Sequence, residues 1–268
     1  MRDSTHSQSS PARLGRVLLA GVAAVLAATA ASPVEPPLAS GTFNGLHGAS
    51  TDLIVGVGDN GAIIHFNRDG EGRRVPSGTT RNLLDVYVAG PDFAFAAGIG
   101  IVLAWNGERW SPIVTGDDSS VYRRVWASPE RDVVLYGGQQ GVSEVVCPYL
   151  PGARLQPFCR HFGSPMVGAC GRSDRINIVL GNGDLHRVNN ALIDAGGTFD
   201  PLHTQPAGLQ LTDAWFPEQG CPDDALPEVF ATNAAGGLWH FDRQAWQPLD
   251  DIALRLAAVR PSTGVLGD

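Results

Sequence analysis

Lysine is absent from this chain of 268 residues, so all nineteen of its basic residues are arginine. We attribute that to codon usage and give it no functional weight. Charge of either sign is scarce, at 17% of residues, and the net charge is −8. An acidic chain without a clustered basic surface cannot release counterions from a phosphate backbone, which argues against nucleic acid as a partner. There is no G-x-S-x-G, no G-x-x-x-x-G-K-[ST] and no H-E-x-x-H, which removes the usual local signs of a serine hydrolase, a nucleotide-binding loop or a zinc protease. Paired C-x-x-C motifs and facial-triad spacing are missing too, so neither a cofactor nor a metal is expected. Long amphipathic helices are hard to find. The main apolar run, Val17 to Ala28, is too short to span a bilayer comfortably.

What remains is rich in turns. Thirty-three Gly and nineteen Pro are spread along the chain, and 43% of residues are hydrophobic. That composition fits many short strands in one large all-β domain. The stretch Leu84 to Ile113 shows the unit most completely. Leu84–Val88, Phe93–Ala97, Ile101–Trp105 and Trp110–Ile113 read as four strands, separated by Gly90-Pro91-Asp92, Gly98-Ile99-Gly100 and Asn106-Gly107. Asn-Gly is a strong hairpin signal because both residues accept positive φ.

The turn between second and third strands recurs at Gly58-Asp59-Asn60-Gly61, Gly98 with Gly100, Gly137-Gly138 with Gly141, Gly181-Asn182-Gly183, and Asn233 to Gly236-Gly237. Gly58, Gly98 and Gly138 stand forty residues apart, within the period of propeller blades. First strands are expected at Asn44–Gly48, Leu84–Val88, Arg123–Ala127, Met166–Ala169, Leu211–Trp215 and Leu254–Val259, and third strands at Ile63–Phe66, Val102–Trp105, Leu185–Val188 and Leu238–Phe241. The fold expected is an all-β propeller of four-stranded antiparallel blades, five full repeats plus an incomplete sixth. Tyr87, Phe95, Trp105, Trp126, Trp215, Trp239 and Phe241 should fill the spaces between blades, with small residues near the channel.

Residues 1–31 have the anatomy of a signal peptide, with Arg2, Arg13 and Arg16 ahead of the apolar run and Ala28-Thr29-Ala30 as a small-x-small cleavage site. The alternative is an N-terminal anchor over residues 14–31. Residues 32–36 form a Pro-rich entry, and the propeller is expected over 37–268. Pro37–Gly41, Val75–Gly78 and Pro112–Gly116 align as fourth strands, so the mature chain should open with the outer strand of its last blade. It ends where another second-to-third turn is due, implying a truncated frame or an incomplete blade. Such an open edge invites strand pairing; otherwise a monomer is expected.

Behind a signal peptide, Cys147, Cys159, Cys170 and Cys221 point to disulfides in a secreted or periplasmic protein. Three connectivities are open. Placing all four on one propeller face favours Cys147–Cys159 with Cys170–Cys221. His65 and His240 occupy equivalent third-strand positions and His186 lies near the same place, so the repeat explains them structurally. Asp59-Asn60-Gly61 lacks the further ligands of a calcium loop and reads as turn chemistry. Asp117-Asp118 and Asp223-Asp224 read as solvated loop residues.

The blade formula standing here as Ile54-Val55-Gly56-Val57-Gly58-Asp59-Asn60-Gly61 with Ile63-Ile64-His65-Phe66-Asn67, echoed by Trp105-Asn106-Gly107-Glu108-Arg109-Trp110, resembles secreted bacterial β-propellers. These are grouped with the photosystem II assembly/stability factor-like and sialidase-like (BNR) superfamily. The Asp-box of that superfamily is not intact; Asn67-Arg68-Asp69-Gly70 is a remnant. No catalytic residue carries over. The resemblance implies a binding or scaffold module for a protein or glycan, with a glycoside hydrolase or lyase using a central-channel site as the alternative.

Overall fold

The turn glycines and alternating apolar residues divide the chain into five hairpin pairs, and each pair closes into one sheet. The computed structural model describes residues 42–50, 53–140, 143–152, 159–189, 200–205, 208–217, 221 and 225–249. Sheet 1 holds β1 (Phe43–Ser50), β2 (Leu53–Gly58), β3 (Ile63–Phe66) and β4 (Gly72–Arg74), and sheet 2 holds β5 (Leu83–Gly90), β6 (Phe93–Gly98), β7 (Ile101–Trp105) and β8 (Trp110–Thr115). Sheet 3 holds β9 (Ser120–Ala127), β10 (Val134–Gln140), β11 (Ser143–Tyr149) and β12 (Arg160–Phe162). Sheet 4 holds β13 (Met166–Arg172), β14 (Arg175–Leu180), β15 (Leu185–Asn189) and β16 (Asp200–His203), and sheet 5 holds β17 (Leu211–Trp215), β18 (Val229–Asn233), β19 (Leu238–Phe241) and β20 (Trp246–Pro248). Strand order follows sequence in every sheet and all pairings are antiparallel.

Because side chains alternate along a strand, each inner sheet sends one set of residues backward and the other forward. On β6, Ala94 and Ala96 join the layer shared with sheet 1, while Phe95 and Ala97 join the layer shared with sheet 3. Four apolar layers result, one between each consecutive pair of sheets. Phe95, Trp105, Trp126 and Phe241 are buried in them, as the sequence predicts, and Tyr87 and Trp239 pack partly against them. Trp215 does not fit that expectation: it is 51% exposed.

Every first strand carries a β-bulge at one register. The ladder to the second strand skips a residue between Phe43 and Gly45, Leu83 and Asp85, Tyr122 and Arg124, Met166 and Gly168, and Leu211 and Asp213. Across from it, in the first three sheets, lie Gly58, Gly98 and Gly138. Gly58 has extended φ, so conformation is not what demands glycine there. Space is: a Cβ on any of the three would run into the carbonyl oxygen of Thr42, Asn82 or Val121. The forty-residue period in the sequence is thus the spacing of bulge glycines. Leu180 and Asn233 take this place in sheets 4 and 5, which is why the period fades there.

Two strand positions differ from expectation. Gly137-Gly138 lies inside β10 and not in a turn, because that hairpin continues to Gln140. The fourth strand of sheet 1 is Gly72–Arg74, ahead of Val75–Gly78; only Val75 extends the ladder, donating its N–H to the Ile63 carbonyl (2.9 Å). The strand expected at Leu254–Val259, the segment before Thr42 and Gly141 lie outside the described residues.

Candidate functional site

The bulge places one residue per sheet at a common position on the first strands: Gly45, Asp85, Arg124, Gly168 and Asp213. Glycine suits a crowded place. A Cβ on Gly45 would stand 3.0 Å from Asp85 Cα, and one on Gly168 would stand 2.9 Å from Ala214 Cβ. Against that background three sheets put a charge there, two acids with an arginine between them in sequence.

Two of the three charges are in contact, and the third, Asp85, lies within their electrostatic reach. Arg124 Nη2 donates to the Thr212 carbonyl (2.7 Å) and lies 3.4 Å from Asp213 Oδ1. This contact runs from sheet 3 to sheet 5, so the first strands curve enough for β9 and β17 to meet side chain to backbone. Gly168 is the residue of sheet 4 at this position, where a Cβ would crowd Ala214 and Phe216. Arg124 Nη1 donates to the Arg123 carbonyl (3.2 Å), while Nε is buried without an acceptor among the described residues. Asp85 Oδ2 accepts from the Val125 N–H (2.9 Å), tying sheet 2 to sheet 3. Burial pushes the Asp85 carboxyl up to about 6, against the pull of the Arg124 guanidinium and the Val125 and Val86 N–H groups, with Asp213 adding repulsion. Asp213 is exposed and completes the cluster on the solvent side. With two carboxylates and one guanidinium, the cluster offers acceptors to a ligand from Asp85 and Asp213.

The sequence did not single out these residues. The usable signal was their column: aligned on the bulge, each stands two residues after the one opposite the second-strand glycine or its replacement.

The residues that the sequence did single out are placed elsewhere. Gly58 and Gly98 end β2 and β6; Asp59 and Gly61 form the 3-10 turn that follows, and Gly100 has φ of 62° between β6 and β7. Gly181 and Gly183 lie in the turn after β14, and Gly236 and Gly237 in the turn after β18. Cys147 is bonded to Cys159 beside sheet 3, and Cys170 on β13 to Cys221 beyond β17, a bond that joins sheets 4 and 5. His65 is buried and its Nε2 accepts from the Trp110 indole N–H of sheet 2 (3.2 Å). Burial, with Arg73 nearby, lowers His65 to about 4. His240 pairs with Glu228 (2.7 Å). His186 departs from the expected equivalence. It pairs with Ile178, whose side chain faces sheet 3, and stacks edge-on with Phe162, so Arg187 takes the His65 position in sheet 4. Asp117 caps its own turn and Asp118 pairs with Arg81 (3.3 Å), whereas Asp223-Asp224 lies outside the described residues.

An open groove of about 570 Å³ follows the link from sheet 1 to sheet 2, between Asn60 and Arg81. Two arginines line it, Arg74 and Arg81, and Arg81 is spent on the Gly100 and Gly116 carbonyls and Asp118. Among the described residues no three metal-ligating side chains converge, and no helix is long and apolar enough to cross a membrane.

Five consecutive four-stranded sheets, packed face to face and each opening on a bulged first strand, define a protein of β-propeller repeat architecture. Among solved structures the chain is similar to YCF48 bound to D1 peptide, at 15% identity and a TM-score of 0.50, over 78% of this chain and 66% of that one. It is also similar to a chain of a nidogen/laminin complex, at 11% identity and a TM-score of 0.54, over 78% and 79%. At such identities the likeness is one of fold, and the chain spans about two thirds of the first of these proteins. No protein-family model and no curated protein matches.

Proposed function

We propose that this chain is an exported binding or scaffold module that recognises a protein or glycan partner on the inner-strand surface around Asp85, Arg124 and Asp213. One observation carries the reading: charge occupies the column that sheets 1 and 4 fill with glycine, so packing does not call for it. A strongly perturbed carboxyl beside a specific charged partner is a further mark of a functional site. The fold neighbour YCF48 was solved with a peptide bound, which favours the protein side of the choice. The rival is a sialidase-like hydrolase or lyase. What favours it is Asp85 held near neutrality beside exposed Asp213, which would supply an acid and a second carboxylate.

The test is capture on peptide and glycan arrays, followed by turnover assays on every glycan captured. Capture without turnover, abolished by Arg124→Met and Asp213→Asn, is the expected result. Capture unchanged by both substitutions places recognition elsewhere, and turnover lost in Asp85→Asn favours the enzyme.

The remaining parts of the proposal concern segments outside the described residues. Residues 1–31 act as a signal peptide, 32–36 as an entry segment and 37–268 as one propeller domain in a secreted or periplasmic protein. Pro37–Gly41 supplies the outer strand of the last blade, and Leu254–Val259 opens an incomplete sixth. Support comes from the two end faces, where Phe43, Leu46 and Trp215 are exposed. N-terminal sequencing of exported protein checks the leader: a start near Ala31 or Ser32 is expected, and a start at Met1 contradicts it.

A further inference from the structure

The unpaired N–H and C=O groups of an outer strand are a template for another chain, and proline is one device that blunts such an edge. The outer strands β8, β16 and β20 carry Pro112, Pro201 and Pro248. β4 and β12 carry no proline. Of these two, β4 runs straight into the open groove of about 570 Å³, which Arg74 and Val75 help to line. Its register sets which groups face outward. Val75 donates to the Ile63 carbonyl (2.9 Å) and Asn67 to the Glu71 carbonyl (3.1 Å), so the antiparallel ladder between them alternates from a hydrogen-bonded pair at each end. Arg73 then bonds inward to His65, while Gly72 and Arg74 turn their N–H and C=O away from β3 toward the open edge.

The charge carried by β4 is of one sign. Arg73 and Arg74 are both exposed, and among the described residues the Arg74 guanidinium has no carboxylate or carbonyl partner. Glu71, the acid next to the strand in sequence, accepts from Asn67 Nδ2 (3.1 Å) within its own turn. Two arginines repel an identical edge, which disfavours pairing with a second copy, and attract an acidic one. We propose that the outer edge of sheet 1 takes an extended acidic segment of another protein as a fifth strand, with an Asp or Glu of that segment on Arg74 and the chain beyond it entering the groove. The outward N–H and C=O groups of Gly72 and Arg74 hold such a strand, and the fit of guanidinium to carboxylate selects it. This site is separate from the inner-strand surface around Asp85, Arg124 and Asp213 and does not depend on it.

Fluorescence anisotropy of the full chain with a labelled Thr-Glu-Val-Glu-Val peptide tests this, beside the same peptide with Lys for Glu and the same peptide N-methylated at alternate residues. The acidic peptide should bind and the other two should not, because one lacks the charge and the other cannot complete a ladder. Arg74→Glu, a change at an exposed position, should weaken binding by about ten-fold or more. Binding of the Lys peptide as tight as that of the acidic one overturns the inference. So does binding that survives N-methylation or Arg74→Glu, or no binding of the acidic peptide at millimolar concentration. Binding lost in Arg124→Met and kept in Arg74→Glu puts the peptide on the inner-strand surface, which overturns this inference and supports that reading.

Discussion

At the scale of single residues, the fold is fixed by a few places where chemistry leaves no choice. Gly98 faces the Asn82 carbonyl with no room for a methyl group, whereas a Cβ on Gly163 would meet nothing within 4 Å. Gly98→Ala should therefore lower the unfolding free energy by about 2 kcal/mol or more, and Gly163→Ala by less than about 0.5 kcal/mol, measured by urea denaturation. His65 and Asp85 make opposite demands on pH. The folded state holds His65 neutral down to about pH 4, so the unfolded chain binds the extra proton between 6.5 and 4 and stability is lost as pH falls through that window. Asp85 is raised to about 6, so the folded state binds the extra proton, and its contribution is present below about 3.8 and lost as pH rises through 6. His65→Gln should flatten the acid loss of stability, while Asp85→Asn should steepen it; unfolding midpoints from pH 4 to 7 check both.

At the scale of elements, the third-to-fourth turns show why so much of the fold was legible. Asn67, Asn106 and Asp242 each accept backbone N–H groups two to four residues ahead through the side-chain Oδ1. Such local chemistry is written in the sequence. The ranges Ile63–Phe66, Leu211–Trp215 and Leu238–Phe241 accordingly coincide with strands. Register is less local. A one-residue slip reverses the face of a strand, which is how His186 falls on the opposite side from His65. A bulge glycine and a turn glycine are the same letter, so Gly137-Gly138 could not be told from a corner. The disulfides also act between elements. Cys170–Cys221 closes a loop of 51 residues and joins two sheets, while Cys147–Cys159 closes 12 within one. Loop-closure entropy gives about 4 and about 3 kcal/mol respectively. Replacing the first pair by alanine should therefore lower the denaturation midpoint more than replacing the second, and the reverse order would contradict that account.

At the scale of the whole molecule, the sheets are held in sequence by apolar layers and by ties between neighbours. Val88 donates to His47 Nδ1 (3.0 Å), Trp110 to His65, and the Trp246 indole to the Gly183 carbonyl (2.8 Å). The candidate site belongs to this scale. Asp85, Arg124 and Asp213 stand 39 and 89 residues apart in the chain and share a position only once three bulges bring their strands into one register. Nothing in their local sequence announces it. If these charges serve a ligand, the molecule should be no less stable without them. The most direct measurement is the unfolding free energy of Asp85→Asn at pH 7, since the amide keeps an acceptor for the Val125 N–H and removes a charge that burial disfavours. Stability equal to or above that of the unaltered protein is predicted. A loss of more than about 2 kcal/mol would show that the ionised carboxylate holds the sheets together, and would contradict its assignment to a binding site.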